Sequence, residues 1–235
     1  MDSDEMLISV VVPVFNEELT IGNVIERLTA VMQKIGSKYE IIVVDDCSTD
    51  RSLDISKSQS AKVFSLKKHM GKGYALRAGF AKAKGEIITT IDSDGSHRPE
   101  ELPQLLIPLL QNKADLIIGS RYLSQKSVAT KKLNAVGVRL FNSLIKILTR
   151  AEVSDSQSGY RVMKSVVLRN MRLKSSEYEI ESEMLVKTAR QGFRIREVPI
   201  SFEQRTYGTS RLDPVVDGFK ILLSIILAYM TGGRR

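Results

Sequence analysis

The chain has no tryptophan and a single cysteine, Cys47. One thiol forms no intramolecular disulfide, and neither a thiolate metal cage nor a CxxC redox pair can be built from it, so a reducing cytosolic setting fits. No GxGxxG follows the first apolar run and no GxxxxGK[ST] occurs anywhere, which removes the dinucleotide fingerprint and the Walker A loop and weakens dehydrogenase and P-loop readings. The start, MDSDEMLISVVVPVF, lacks a basic n-region and a small-residue cleavage site, and is expected to be a β-strand rather than a signal peptide. No apolar stretch approaches the ~20 residues needed to cross a bilayer. Internal repeats, low-complexity tracts and long linkers are absent as well.

What is present suits one sizeable α/β domain: 235 residues with 43% hydrophobic content. The net charge of +8 points to an anionic partner, and by itself leaves nucleic acid, phospholipid and nucleotide open. Its placement says more. Between Arg121 and Arg150 stand Arg121, Lys126, Lys131, Lys132, Arg139, Lys146 and Arg150, with no Asp or Glu among them.

The first half alternates apolar runs at 7–13, 39–45, 61–66, 86–92 and 114–120 with amphipathic stretches. Runs apolar almost throughout suit strands buried on both faces of a parallel sheet. Helices are expected over 18–35, where Ile21, Val24, Ile25, Leu28, Val31, Met32 and Ile35 recur at helical spacing, and over 71–84 and 99–110. The pattern predicts a doubly wound, mostly parallel sheet.

Ligands of such sheets sit at the carboxyl ends of the strands. The residues there are polar and mostly acidic: Asn16 and Glu17, Asp45 and Asp46, Asp92 and Asp94, Ser120 and Arg121. Asp92-Ser93-Asp94 has two readings. Two close carboxylates repel unless a cation neutralises them, and Mg²⁺ or Mn²⁺ prefers such oxygens and bridges to phosphates; alternatively Asp94 or Ser96 caps a helix near Pro99. Asp45 and its neighbours either cap a helix or meet a ribose or base. His69-Met70-Gly71-Lys72-Gly73 places glycines and Lys72 at a helix start suited to phosphate. Arg205 to Arg211, with two arginines and hydroxyl donors, has the composition to wrap a diphosphate or to form a solvated loop.

Seven segments, VVVPVFNE, VVDDCSTD, GKGYALRAGF, TIDSDGSHRPEE, GSRY, DSQSGYR and RTYGTSR, cover the chain from about Leu7 to Leu212. In order and spacing they resemble glycosyltransferase family 2 of the GT-A fold, and within it the polyprenol-phosphate glycosyltransferases of the dolichyl-phosphate mannose synthase type. The resemblance implies inverting transfer of a hexose from a nucleotide diphosphate sugar, GDP-mannose favoured and UDP-glucose next, to dolichyl or polyprenyl phosphate. It implies Pro13, Asn16, Glu17, Asp45, Lys72, Asp92 and Ser93 for the nucleotide sugar, with Arg205 and Arg211 closing over the donor phosphates. Asp92, Asp94 and Ser96 would hold the metal. Arg121, Arg139 and Ser143 would meet the acceptor phosphate, and Asp155, Asp94 and Arg121 would carry the chemistry. Ser96 departs from the glutamine, and Arg211 from the lysine, frequent in mannose synthases; His97 is an alternative ligand. A processive polysaccharide synthase would carry QxxRW, which a chain without tryptophan cannot have. A saccharide hydroxyl acceptor and a noncatalytic adaptor are the rival readings.

On a helical wheel Leu133, Val136, Leu140, Phe141, Leu144, Ile147 and Leu148 share one face, with Lys132, Arg139, Lys146 and Arg150 almost opposite. Such a helix either lies at an anionic membrane surface or packs in the domain with a solvated basic face. The expected organisation is a catalytic domain over 1–212, with an amphipathic basic helix at 124–150, followed by an apolar membrane-proximal helix at 213–235. That tail docks on a bilayer, binds a membrane-embedded partner subunit, or leads into further segments. The expected location is peripheral, on the cytoplasmic face of a membrane. No nucleic-acid module is recognised.

Overall fold

The computed structural model describes residues 6–123, 132–203 and 213–233. Among them, seven strands form one sheet: β1 Leu7–Val14, β2 Lys38–Asp45, β3 Lys62–Ser65, β4 Ile87–Thr90, β5 Leu116–Ser120, β6 Arg161–Lys164 and β7 Ile195–Pro199. Their order is β3-β2-β1-β4-β6-β5-β7. The strands β1 to β4 pair in parallel, as does β5 with β7, whereas β6 runs antiparallel to both β4 and β5. The expected mostly parallel sheet flanked by helices is what forms.

Strand β1 shows why this sequence makes a central strand. Its side chains alternate between faces, and both faces are covered. Val10 and Val12 pack with α1 (Ile21–Ile35) and α4 (Leu102–Leu110), while Val11 packs with Leu76 of α3 (Lys72–Lys82) and Ile180 of α7 (Ile180–Arg190). Helix α1 buries Ile21, Val24, Ile25, Leu28, Val31 and Met32, the predicted stripe, and ends at Gly36, whose φ of 78° is the left-handed cap that glycine adopts without strain. Two short helices, α2 (Ser52–Lys57) and α6 (Ser165–Arg169), complete the connections.

The basic helix α5 (Lys132–Thr149) forms, but with a different buried face from the one the wheel suggests. Val138, Phe141 and Ile145 are buried, the latter two against α7 and α8 (Val216–Thr231), while Val136, Leu140 and Ile147 are exposed. At about 100° per residue these two trios fall on nearly opposite sides. The apolar arc is wider than one helix pair covers, and α8 covers only one edge of it.

Helix α8 behaves similarly. It buries Ile221, Ile225 and Ala228 in the same core and leaves Phe219, Leu223, Leu227 and Met230 exposed. No helix among the described residues is long and apolar enough to cross a membrane.

Candidate active site

The carboxyl ends of β1, β2 and β4 open into a cavity of about 320 Å³. Its walls include Pro13, Phe15 and Glu17 from the end of β1, Asp46 from β2, Lys72 and Ala75 from α3, and Asp92, Ser93 and Asp94 after β4. Asp217 and Lys220 of α8 close the side near Glu177 and Tyr178. This is where a parallel sheet is expected to bind its ligand.

Each wall is fixed by local bonding. After β1 the chain turns through Asn16 at φ 55°. The Asn16 side chain accepts from the Thr49 amide at 2.7 Å and donates to the Thr49 hydroxyl at 3.2 Å, and its own amide donates to Ser48 Oγ. Asn16 therefore ties two loops together beside the cavity. Asp45, fully buried, spends its carboxylate on the Ser48 amide and on the Ser65 hydroxyl at 2.9 Å. Its neighbour Asp46 is the one that lines the cavity, accepting from the Met70 and Gly71 amides, both at 2.7 Å, and from His69 Nδ1 at 2.8 Å. The His69 ring stacks on Phe15 with centroids 3.9 Å apart.

The glycines around Lys72 serve packing. A Cβ on Gly73 would come within 2.8 Å of the backbone oxygens of Ser175 and Glu177, and Gly71 has φ 91°. Close passage of 175–177 pins the start of α3, with the Tyr74 amide donating to Ser176 O. Lys72 then reaches Asp92 Oδ1 at 2.6 Å and Glu181 Oε1 at 2.8 Å. Burial alone would raise the Asp92 carboxyl, but Lys72 and His97 outweigh it and hold Asp92 well below the usual carboxylate range. Conversely, burial would lower the Lys72 ammonium, and Asp92 with Glu181 keeps it far above its ordinary value.

Asp92 has no room to move backwards, since a Cβ on Gly159 would stand 2.5 Å from its Oδ2. Asp94 lines the cavity and accepts from the Ser96 amide at 3.0 Å and the Ser96 hydroxyl at 2.6 Å. Ser96 is buried with its hydroxyl turned onto Asp94, and the helix beyond begins without a side-chain cap. Among the described residues no three His, Cys, Asp or Glu side chains converge as a closed metal cage. Two carboxylates at an open cavity fit a hard divalent cation that takes its remaining ligands from substrate phosphates and water.

A second cluster lies alongside. Asp155 is fully buried and accepts three hydrogen bonds from Arg121: the backbone amide at 3.0 Å, Nε at 2.7 Å and Nη2 at 2.8 Å. Burial would lower the Arg121 pKa, but Asp155 outweighs it and raises it. The Asp155 loop is held from beneath by Glu197, whose oxygens accept from the Ser154 and Asp155 amides at 2.7 and 2.9 Å and whose pKa burial pushes up. Arg161, also buried, closes the loop by donating to the carbonyls of Ser156, Ser158 and Glu181. Phe202 joins the clusters, standing under the Arg121 guanidinium at 5.1 Å and against His97 at 5.5 Å. His97 in turn lies 3.5 Å from Asp92.

The structure thus brings together Pro13, Glu17, Lys72, Asp92, Ser93 and Asp94 at one cavity and sets Arg121 with Asp155 beside it. Asn16, Asp45 and Ser96 support the walls from behind. Arg139 and Ser143 lie on the exposed side of α5, where Ser143 donates to Arg139 O, and it is Asn142 that bonds the Asp155 loop. Arg205 and Arg211 lie outside the described residues. Sequence reasoning placed Asp46 at a strand end but gave the nucleotide role to Asp45, and it missed Glu181, Asp217 and Lys220; an EIESE pattern of acids at even spacing was the only available hint of Glu181.

Comparison with known proteins agrees. The family model for glycosyl transferase family 2 matches residues 9–172. An uncharacterised protein of Methanocaldococcus jannaschii is 35% identical over 97% of this chain and 93% of its own length. The dolichol-phosphate mannosyltransferase of Pyrococcus furiosus is 31% identical over 88% of this chain, which spans 59% of that enzyme. A UDP-N-acetylglucosamine–dolichyl-phosphate N-acetylglucosaminyltransferase of Methanococcus voltae is 29% identical over 96% of this chain and 97% of its own length. Among solved structures, glucosyl-3-phosphoglycerate synthase of Mycobacterium tuberculosis with Mn²⁺, UDP and glucosyl-3-phosphoglycerate superposes with a TM-score of 0.78 at 26% identity, covering 96% of this chain and 80% of that one.

Proposed function

Because this chain belongs to glycosyltransferase family 2, we propose that it transfers a hexose, with inversion, from a nucleotide diphosphate sugar to a polyprenyl or dolichyl phosphate at a membrane surface. The observation that carries the acceptor is the double role of α8. One side of this helix sends Asp217 and Lys220 into the cavity, and the other exposes Phe219, Leu223, Leu227 and Met230. Val136, Leu140 and Ile147 add a second exposed apolar row on the adjoining α5, with Arg139 and Lys146 exposed on the same helix. Apolar rows beside basic side chains suit the interface of an anionic bilayer. A lipid phosphate lying there has its headgroup next to the donor cavity.

The chemistry follows from the charges. Asp92 and Asp94 would hold Mg²⁺ or Mn²⁺, which when bound would neutralise the departing diphosphate. Lys72 adds a cation at the same wall. A phosphate monoester has a second pKa near 6 and is largely dianionic at neutral pH, so its oxygen needs no strong base. Asp155, with its oxygens engaged by Arg121, fits a residue that holds Arg121 toward the acceptor phosphate rather than one that removes a proton. Rate then comes from charge stabilisation and in-line positioning. A mannose donor is favoured by the Pyrococcus relative and glucose comes next.

The test is incubation with radiolabelled GDP-mannose, UDP-glucose and UDP-N-acetylglucosamine, each with dolichyl phosphate or with 3-phosphoglycerate, with and without Mn²⁺. Metal-dependent label in the organic phase from one donor is expected. Absence of lipid-linked product from every donor, or label only on the soluble phosphate, would overturn the acceptor assignment.

A further inference from the structure

Lys72 sits between two carboxylates that differ in what else they can do. Asp92 keeps 24% of its side chain exposed and faces the cavity, where it is placed to take a metal. Glu181 is 3% exposed, and beyond its Lys72 ion pair its carboxylate oxygens have no hydrogen-bond partner among the described residues. The buried guanidinium nearby, Arg161, spends its donors on carbonyls, including Glu181's own backbone oxygen, not on the Glu181 side chain. A buried carboxylate left this way depends on one ammonium. The backbone of Lys72 is pinned by the close passage of 175–177, so only the side chain redistributes.

We propose that Lys72 is an internal cation that takes the metal's place on Asp92 until a nucleotide diphosphate arrives, and that Glu181 is the positioning residue that receives Lys72 when the metal binds. This rests on the reading of Asp92 and Asp94 as metal ligands. The ammonium lies 2.6 Å from Asp92 Oδ1, so that oxygen and a divalent ion's coordination sphere cannot be shared without close approach of like charges. In the free protein the ion must push Lys72 back onto Glu181. A diphosphate removes this conflict, because it supplies anionic oxygens for both the ion and the ammonium. Metal and nucleotide therefore bind with positive coupling, and the coupling is reciprocal.

The two side chains are predicted to act with opposite signs. Lys72→Met frees Asp92, so Mn²⁺ binds more tightly in the absence of nucleotide, by about tenfold, within the usual range for coupled sites. Glu181→Gln removes the receiving carboxylate, leaves Lys72 on Asp92 and weakens Mn²⁺ binding by a similar factor, again about tenfold. Lys72→Arg keeps a cation in place and stays close to the parent. The experiment measures free Mn²⁺ by electron paramagnetic resonance during titration of the full chain, first alone and then with GDP or UDP. The gap between Mn²⁺ affinities with and without nucleotide is expected to narrow in Lys72→Met.

Mn²⁺ binding by Lys72→Met that is unchanged or weaker overturns the proposal, as does tighter binding by Glu181→Gln. A purely structural role predicts loss in both variants. Should Lys72→Met fail to fold, judged by circular dichroism, Lys72→Gln is the deciding variant. Asp92→Asn and Asp94→Asn in the parent serve as the control: if neither lowers Mn²⁺ affinity, the metal-ligand reading fails and Lys72 has no metal to replace. No lipid acceptor or nucleotide sugar enters the assay, so a failed acceptor assignment leaves the outcome untouched.

Discussion

Replacing Asp155 by Asn separates an orienting carboxylate from a catalytic base. The substitution keeps the shape and one acceptor oxygen but removes the charge that meets Arg121 through Nε, Nη2 and the backbone amide. Asp155 is fully buried and the Arg121 side chain is 15% exposed, so this pair belongs with buried rather than surface ion pairs. Breaking such a pair from one side costs about 3–5 kcal/mol, and the low end, about 3, applies because Asn still accepts one bond. For a chain of this length each kcal/mol lowers Tm by roughly 2–4 °C, giving a fall of roughly 6–12 °C. Thermal unfolding followed by circular dichroism reads that directly. In the transfer assay, a mispositioned Arg121 raises KM for the lipid phosphate about tenfold, with kcat much less affected, because the lost contact is made before and during transfer alike. The pH profile between 7 and 9 keeps its shape, since a phosphate monoester with a second pKa near 6 is already largely dianionic there. If Asp155→Asn is as inactive as Asp94→Ala at every pH while Tm is unchanged, Asp155 is an indispensable base and the reasoning is wrong.

Three further outcomes follow from single features. Gly159→Ala places a Cβ 2.5 Å from Asp92 Oδ2; displacement of that carboxylate by even ~1 Å is expected to lower kcat/KM about a hundredfold, and near-parental activity would show that the wall yields. Phe219→Asp with Leu223→Asp puts charge on the exposed side of α8 and should reduce sedimentation with phosphatidylserine vesicles while leaving stability within about 0.5 kcal/mol; undiminished vesicle binding would remove this surface from the account. Glu40 is buried, which raises its pKa, but Lys62, Ser9 and the Lys84 amide outweigh burial and hold it below the usual range. A carboxylate depressed in the folded state stabilises above its unfolded pKa, about 4.3, and loses that contribution as pH falls through the lower folded value. Glu40→Gln should therefore lower Tm at pH 7 and flatten its decline between pH 5 and 3. An unchanged acid slope would contradict it.

The strands were legible because a strand covered on both faces must be apolar nearly throughout, and β1, β2 and β5 are. Burial faces were less so. Helix α5 carries apolar residues around more than half its circumference, and it is packing against α7 and α8, the latter about 70 residues later in sequence, that puts Phe141 inside while Leu140 stays out. Asp45 and Asp46 illustrate a limit of another kind. Adjacent residues at a strand end point to opposite sides, so one is consumed by its own loop while the other faces the cavity, and composition does not distinguish them. Lys220 and Glu181 reach the site through packing of α7 and α8, contacts that leave no local spacing to read. Asp92 and Asp94 were legible because the apolar strand before them fixes where they emerge.

The direction of β6 sets how the site is bounded. Arg161 opens that strand opposite Thr90 of β4 and Ile118 of β5, so the antiparallel sense delivers the segment before it to the rim where the parallel strands finish. Had β6 run the other way, the Asp155–Tyr160 segment would emerge on the far edge. One reversed strand gives this segment two anchors, Arg121 at its start and Arg161 at its end, with Gly159 seated against the Asp92 carboxylate. Residues between these anchors, such as Gln157, whose amide donates to Ser182 Oγ at 2.6 Å, lie outside the strand pairing. The rim on this side is thereby built from a segment that precedes β6 rather than from the paired strand itself.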